Sequence, residues 1–191
     1  MRALYRALLL CALTACGQGE AQSSPSSSSS AAAPLPAPEP VPAPEPLEAF
    51  TDVSPDDIQS VLRAAPGEVL LVNLWSTWCR PCMEEMPQLV SLAARNRQAG
   101  LGAMFISMDI SSSRADALRF MVEQRAPSPS YIRVGRDADF IPAMHGEWSG
   151  TLPATILFDR SRAPQHVWVG EVPMDELERA VQQMLSEGNE R

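Results

Sequence analysis

Two cysteines separated by two residues, in Trp78-Cys79-Arg80-Pro81-Cys82, are the side chains best suited to chemistry in this sequence. They stand between an apolar run, Val69-Leu70-Leu71-Val72-Asn73-Leu74-Trp75, and a segment of helical periodicity. At such a strand-to-helix junction one sulfur sits at the helix N-terminus and the other one turn inside it. The partial positive charge of the N-terminus, helped by Arg80, favours the Cys79 thiolate, and Cys82 lies within reach to close a disulfide. That is the equipment for thiol–disulfide exchange. A structural staple is a poorer account, because so small a loop constrains the unfolded chain little. A zinc half-site needs two further ligands, and the two histidines, His145 and His166, belong to no partnering motif. Two reduced thiolates could instead hold copper, an alternative of a different class. No nearby Met or His completes such a site, and Met104, Met108, Met121, Met144 and Met184 are spread as core residues are.

The elements that must position this pair read as alternating helices and strands. Ser54-Pro55-Asp56-Asp57 is a helix start, with Ile58, Val61 and Leu62 as its apolar face and Pro66-Gly67 beyond its end. Val69 to Leu74 is a buried strand, apolar on both faces apart from Asn73. A long helix runs from Cys79 to Gln98, ended by Gly100 and kinked by Pro87, which frees the Met83 carbonyl. Leu101 to Met108 is a second buried strand, and Ser111 to Ser113 cap a helix over 114–125 that Pro127 stops. Tyr131 to Val134 is a weak strand, and Asp137 to Met144 a short helix interrupted by Pro142. Ala154 to Phe158 and Gln165 to Val169 form a hairpin through Asp159-Arg160-Ser161-Arg162. Met174 to Leu185 is an amphipathic helix with Leu177, Val181, Met184 and Leu185 inward. This order predicts a mixed sheet covered on both faces.

The N-terminal part is of another kind. Met1 to Arg6 carries two arginines and no acid, and Ala7 to Leu13 is an apolar stretch too short to span a bilayer. Leu13-Thr14-Ala15-Cys16 resembles the lipobox of bacterial lipoproteins, which implies a signal peptide over 1–15 and lipidation of Cys16. Gly17, where Asp is common in lipoproteins retained at the inner membrane, resembles an outer-membrane address in a Gram-negative cell. With Cys11 discarded and Cys16 alkylated, the exported domain keeps Cys79 and Cys82 of the four cysteines, too few for a disulfide framework. Residues 16–48 are rich in Ser, Ala, Pro and Glu, with too little apolar surface to offset the entropy of ordering. Their proline-rich half favours an extended form of roughly 3 Å per residue, a tether or simple spacer to a domain over 49–191. The formal charge of −8 argues against a nucleic-acid partner.

The segment from about Asp52 to Glu187 resembles thioredoxin-fold proteins of the TlpA/ResA type, the membrane-tethered extracytoplasmic thiol–disulfide oxidoreductases. The matching residues are the block from Leu71 to Cys82, then Glu84-Glu85-Met86-Pro87, and far downstream Gly150-Thr151-Leu152-Pro153-Ala154-Thr155. The resemblance implies an α/β domain of thioredoxin fold, with a central mixed β-sheet flanked by helices. It implies that Cys79 attacks a substrate disulfide and Cys82 resolves the mixed disulfide. Pro153 matches the family's cis-proline beside the disulfide, although by itself it is only a proline allowed at a strand start. Thr151 and Leu152 then present backbone groups to an extended substrate segment, and Trp78 shields the disulfide and contacts partners. Asn73 stands where cytoplasmic thioredoxin has a buried, ionisable Asp. Glu85, three residues after Cys82 and so able to share its helix face, is the substitute proton acceptor that the ResA-like branch implies. Glu84 and Glu85 could also simply be acids near a helix N-terminus. Trp75 reads equally as packing, Trp148 as a wall of the substrate groove, and His145 as an ordinary loop residue.

The expectation is therefore a lipid-anchored extracytoplasmic enzyme that reduces selected protein disulfides, with net oxidation or isomerisation as the close alternative. Its partners are exported cysteine-containing proteins such as apocytochrome c, and a membrane electron donor. No cofactor and no metal are expected.

Overall fold

Residues 48–189 are described by the computed structural model. The signal peptide, Cys16 and nearly all of the tether lie outside them. The elements are β1 (Phe50–Val53), α1 (Ile58–Ala64), β2 (Val69–Trp75), α2 (Arg80–Asn96), β3 (Leu101–Ser107), α3 (Arg114–Glu123), β4 (Ser130–Arg133), α4 (Asp137–Met144), β5 (Ala154–Phe158), β6 (Pro164–Val169) and α5 (Met174–Asn189). The strands form one mixed sheet in the order β1-β4-β3-β2-β5-β6. β1, β4, β3 and β2 are mutually parallel, and β5 and β6 are antiparallel to their neighbours.

The central strand β2 is buried along its whole length. Successive side chains point to opposite faces, and each face has its own apolar core. Leu71 and Trp75 pack with Met86, Leu89, Phe105, Leu177 and Val181, under α2 and α5. Leu70, Val72 and Leu74 pack with Ile58, Leu62, Phe140 and Met144, under α1 and α4. This is the two-sided coverage that a fully apolar strand requires.

Several local expectations are corrected. α1 starts at Ile58, not at Ser54: the Ser54 hydroxyl donates to Asp57 and its oxygens accept from the Asp57 and Ile58 amides, closing a turn before the helix. β1 was not anticipated, because four residues with only Phe50 and Val53 buried are too short to show a period. α4 runs through Pro142 without the expected interruption. α5 extends beyond Leu185 to Asn189. A short 3-10 turn after α2 ends at Gly100, whose φ of 105° suits a residue without a Cβ.

Candidate active site

The site grows from the end of β2. The chain leaves the sheet at Trp75, turns through Ser76, Thr77 and Trp78, and enters α2 with Cys79 as its N-cap. The Cys79 amide donates to the Ser76 carbonyl at 3.2 Å, and the Cys79 sulfur accepts the Cys82 amide at 3.3 Å. Pro81 lies in the first turn, where its missing N–H is not needed. Cys79 and Cys82 are joined in a disulfide with their Cα atoms 5.3 Å apart. Cys79 is 6% exposed and Cys82 fully buried. Trp78 beside it is exposed, whereas Trp75 is buried and tilted against the Phe120 ring at 5.4 Å.

Asp109 holds this loop, and the sequence reading missed it. The carboxylate is 1% exposed. It accepts the Thr77 amide at 3.0 Å, the Thr77 hydroxyl at 2.6 Å and the Ser107 hydroxyl at 2.8 Å. β2 and β3 are paired in parallel up to Trp75 and Ser107, and the Met108 amide donates to the Trp75 carbonyl at 2.7 Å. The two chains therefore leave the sheet side by side. The available signal was an acid directly after an apolar strand, where a buried carboxylate needs donors.

Glu85 lies on the inner side of α2 with Cys82 and is 6% exposed. One carboxylate oxygen accepts the Asn73 amide at 3.1 Å, and the other the Val172 backbone N–H at 3.2 Å. Loss of hydration raises its pKa from the ordinary carboxylate value; the Val172 and Asn73 donors oppose that rise, and the nearby Glu171 charge adds to it. Asn73, itself buried in β2, also donates to the Thr155 hydroxyl at 3.0 Å. Glu84 points away into solvent and pairs with Arg80 at 2.7 Å.

The Gly150–Pro153 loop comes to the same end of the sheet because Ala154, the first residue of β5, pairs with Leu74 of β2. The Leu152–Pro153 peptide is cis. Leu152 packs against the cluster that holds both cysteines, Thr151 is exposed and Pro153 is buried. The Pro153 carbonyl accepts the Gly170 amide at 2.8 Å. Gly150 has a φ of 89°, and a Cβ there would lie 2.5 Å from the Ile141 side chain. Trp148 does not line a groove: it is buried, and its indole N–H donates to the Thr151 carbonyl at 2.9 Å, holding the loop from beneath. The His145 ring accepts the Glu147 amide at 3.1 Å, and His166 stacks on Trp168 in β6. Among the described residues, no group of three or more His, Cys, Asp and Glu is placed to hold a metal ion.

A dithiol–disulfide pair at a helix N-cap, on a mixed sheet of this order and beside a cis-proline loop, defines a thioredoxin-like thiol–disulfide oxidoreductase. The Redoxin family model matches residues 36–184, and the chain belongs to that family. It is 26% identical over 135 residues to the thiol–disulfide oxidoreductase ResA of Bacillus cereus, covering 70% of this chain and 72% of the relative. It is 30% identical over 129 residues to the thiol:disulfide interchange protein DsbE of Pseudomonas aeruginosa, covering 65% and 66%. A thioredoxin-family thiol:disulfide interchange protein of Chlorobium tepidum superimposes with a TM-score of 0.54 at 23% identity, over 76% of this chain and 99% of that one, a likeness of fold. The protein is an enzyme of the ResA/DsbE type working through its Cys79–Cys82 pair.

Proposed function

We propose that the protein is a membrane-tethered, extracytoplasmic reductase of selected protein disulfides. The observation that carries the catalytic part of this reading is the unequal access of the two sulfurs, with Cys79 at the rim and Cys82 wholly buried. In the reduced enzyme the Cys79 thiolate attacks a substrate disulfide, forming one S–S bond and expelling one substrate thiolate. Cys82 then loses its proton and attacks Cys79, releasing the second substrate thiolate and leaving the Cys79–Cys82 disulfide. Glu85, desolvated on the same helix side, accepts that proton. The backbone beside Pro153 aligns the substrate strand, with Thr151 and Leu152 as its contacts. A membrane electron donor restores the dithiol.

Localisation and partners follow from the N-terminal sequence together with the family. Lipidated Cys16 holds the domain at the periplasmic face of the outer membrane in a Gram-negative cell. The substrates are exported cysteine-containing proteins, apocytochrome c among them. The test is the reduction potential of the Cys79–Cys82 pair in glutathione and dithiothreitol buffers, read by alkylation and mass spectrometry. The reductase reading expects a value near thioredoxin's, about −270 mV. A value near DsbA's, about −120 mV, makes the protein an oxidant and overturns the direction.

A further inference from the structure

Thr155 closes the downstream sequence block that begins at Gly150, and the catalytic cycle gives it no task. It is fully buried in β5, directly opposite Asn73 of β2. Residues so paired in an antiparallel ladder lie close enough for their side chains to meet. Asn73 Nδ2 donates to the Thr155 hydroxyl at 3.0 Å and to Glu85 Oε1 at 3.1 Å, and lies 3.5 Å from the Ala154 carbonyl. The other end of the same amide is left over: Asn73 Oδ1 is buried and accepts no hydrogen bond among the described residues. Turned over, Oδ1 would accept from the Thr155 hydroxyl, but it would also face a carboxylate oxygen of Glu85, acceptor against acceptor. The observed orientation leaves a carbonyl oxygen unpaired in order to present one N–H to Glu85 and one to β5. A buried acceptor without a donor calls for a reason. The Glu85 carboxylate supplies it, because a hydrogen bond to an ionised group is stronger than one between neutral groups.

We propose that Thr155, acting through the Asn73 amide, is a positioning residue that holds the Glu85 carboxylate ready to take the Cys82 proton. The inference rests on Glu85 being the acceptor of that proton. The Thr155 hydroxyl takes one amide N–H and so fixes which way Asn73 faces; the second N–H is thereby delivered to Oε1, while the Val172 amide holds Oε2. No other side chain is placed to do this by charge. β2 and β5 carry no ionisable residue. On α2, Arg80 and Glu84 pair with one another in solvent, and Cys82 is the group served. On α5, Asp175 pairs with Arg179 and Glu176 accepts the Trp168 indole N–H. Glu171, on the loop before α5, acts against the carboxylate and not for it.

The experiment uses the full chain with its disulfide closed, and follows the Glu85 carboxyl carbon by NMR across pH, with Glu85→Gln to assign the signal. The pH dependence of substrate release by the reduced chain is read in parallel by stopped flow. Thr155→Val keeps the shape of the side chain and removes the hydroxyl, so the amide is no longer held toward Glu85. It is expected to move the Glu85 titration, and the release profile with it, upward by about one pH unit, the scale of one hydrogen bond to a charged group. Asn73→Leu removes the donor itself and moves both at least as far, whereas Thr155→Ser keeps a hydroxyl and stays near wild type. Thr155→Ala, which cannot overfill the site, decides in the same way if Val is not accommodated. A Thr155 variant that is less stable but leaves the titration and the profile unmoved has a structural residue only, and overturns the positioning role; so does a Thr155→Ser shift as large as that of Thr155→Val. A Glu85→Gln release profile identical to wild type overturns Glu85 as the acceptor, and Thr155 with it. A profile that Glu85→Gln changes and Thr155→Val does not leaves Glu85 in place and removes Thr155 alone.

Discussion

At the scale of single residues, two buried carboxylates near the disulfide loop sit in different surroundings. Glu85 is desolvated and its pKa raised, so folding takes up a proton there at pH values between the ordinary carboxylate value and the raised one. More protons on the folded than on the unfolded chain means that this contribution to stability is lost as pH rises through that window. Glu85→Gln removes the titration. Its stability in urea should rise relative to wild type from about pH 4 to neutrality; a difference that stays constant over that range excludes the assigned shift. If Glu85 also takes the Cys82 proton, the same variant slows substrate release by about tenfold or more in stopped-flow traces and moves its pH dependence upward. Asp109 holds the loop before α2: its oxygens accept the Thr77 and Ser107 donors. Asp109→Ala strands those buried groups and should cost about 2–4 kcal/mol in chemical denaturation. Glu85 was visible in the sequence because Cys82 lies three residues before it on one helix. The ties of Asp109 to Thr77 were not, because 32 residues separate the partners and only the parallel pairing of β2 with β3 joins them.

At the scale of elements, the site is the meeting of three chain segments at one end of the sheet. The end of β2 supplies the disulfide loop, the end of β3 the Asp109 clamp, and the start of β5 the cis-proline loop. The loop before β5 is propped by the indole of Trp148. Trp148→Phe keeps most of the ring volume and removes the hydrogen bond to the Thr151 carbonyl. The expected result is a loss of about 1 kcal/mol in stability and a several-fold higher KM for a peptide disulfide, with the reduction potential unchanged. A shifted potential with unchanged KM would place Trp148 with the sulfurs and not with the substrate loop. Most element boundaries were legible because β2, β3 and β5 are apolar runs and α2 and α5 carry a strong period. β1 was not legible, since its pairing with β4 involves a four-residue register and little side-chain burial.

At the scale of the whole molecule, the catalytic domain is acidic overall and is preceded by a segment rich in Pro and Ser. If Cys16 carries the anchor, metabolic acyl labelling of the wild-type chain is lost in Cys16→Ser; equal labelling, or none in either, rules the anchor out. The sequence by itself determined the reacting atoms, because a Cys-x-x-Cys pair between an apolar strand and a periodic helix admits few other chemistries. It also determined the alternation of strands and helices, since apolar runs and helical periods are local properties of the chain. Only the tertiary structure decided that Cys82 is fully buried while Cys79 keeps a little exposure, and that Asn73 and Val172 together hold Glu85. It likewise turned Trp148 from a candidate groove wall into a buried prop. Those are matters of burial and of hydrogen bonds between residues far apart in sequence, and neither leaves a period or a spacing for a linear reading to find.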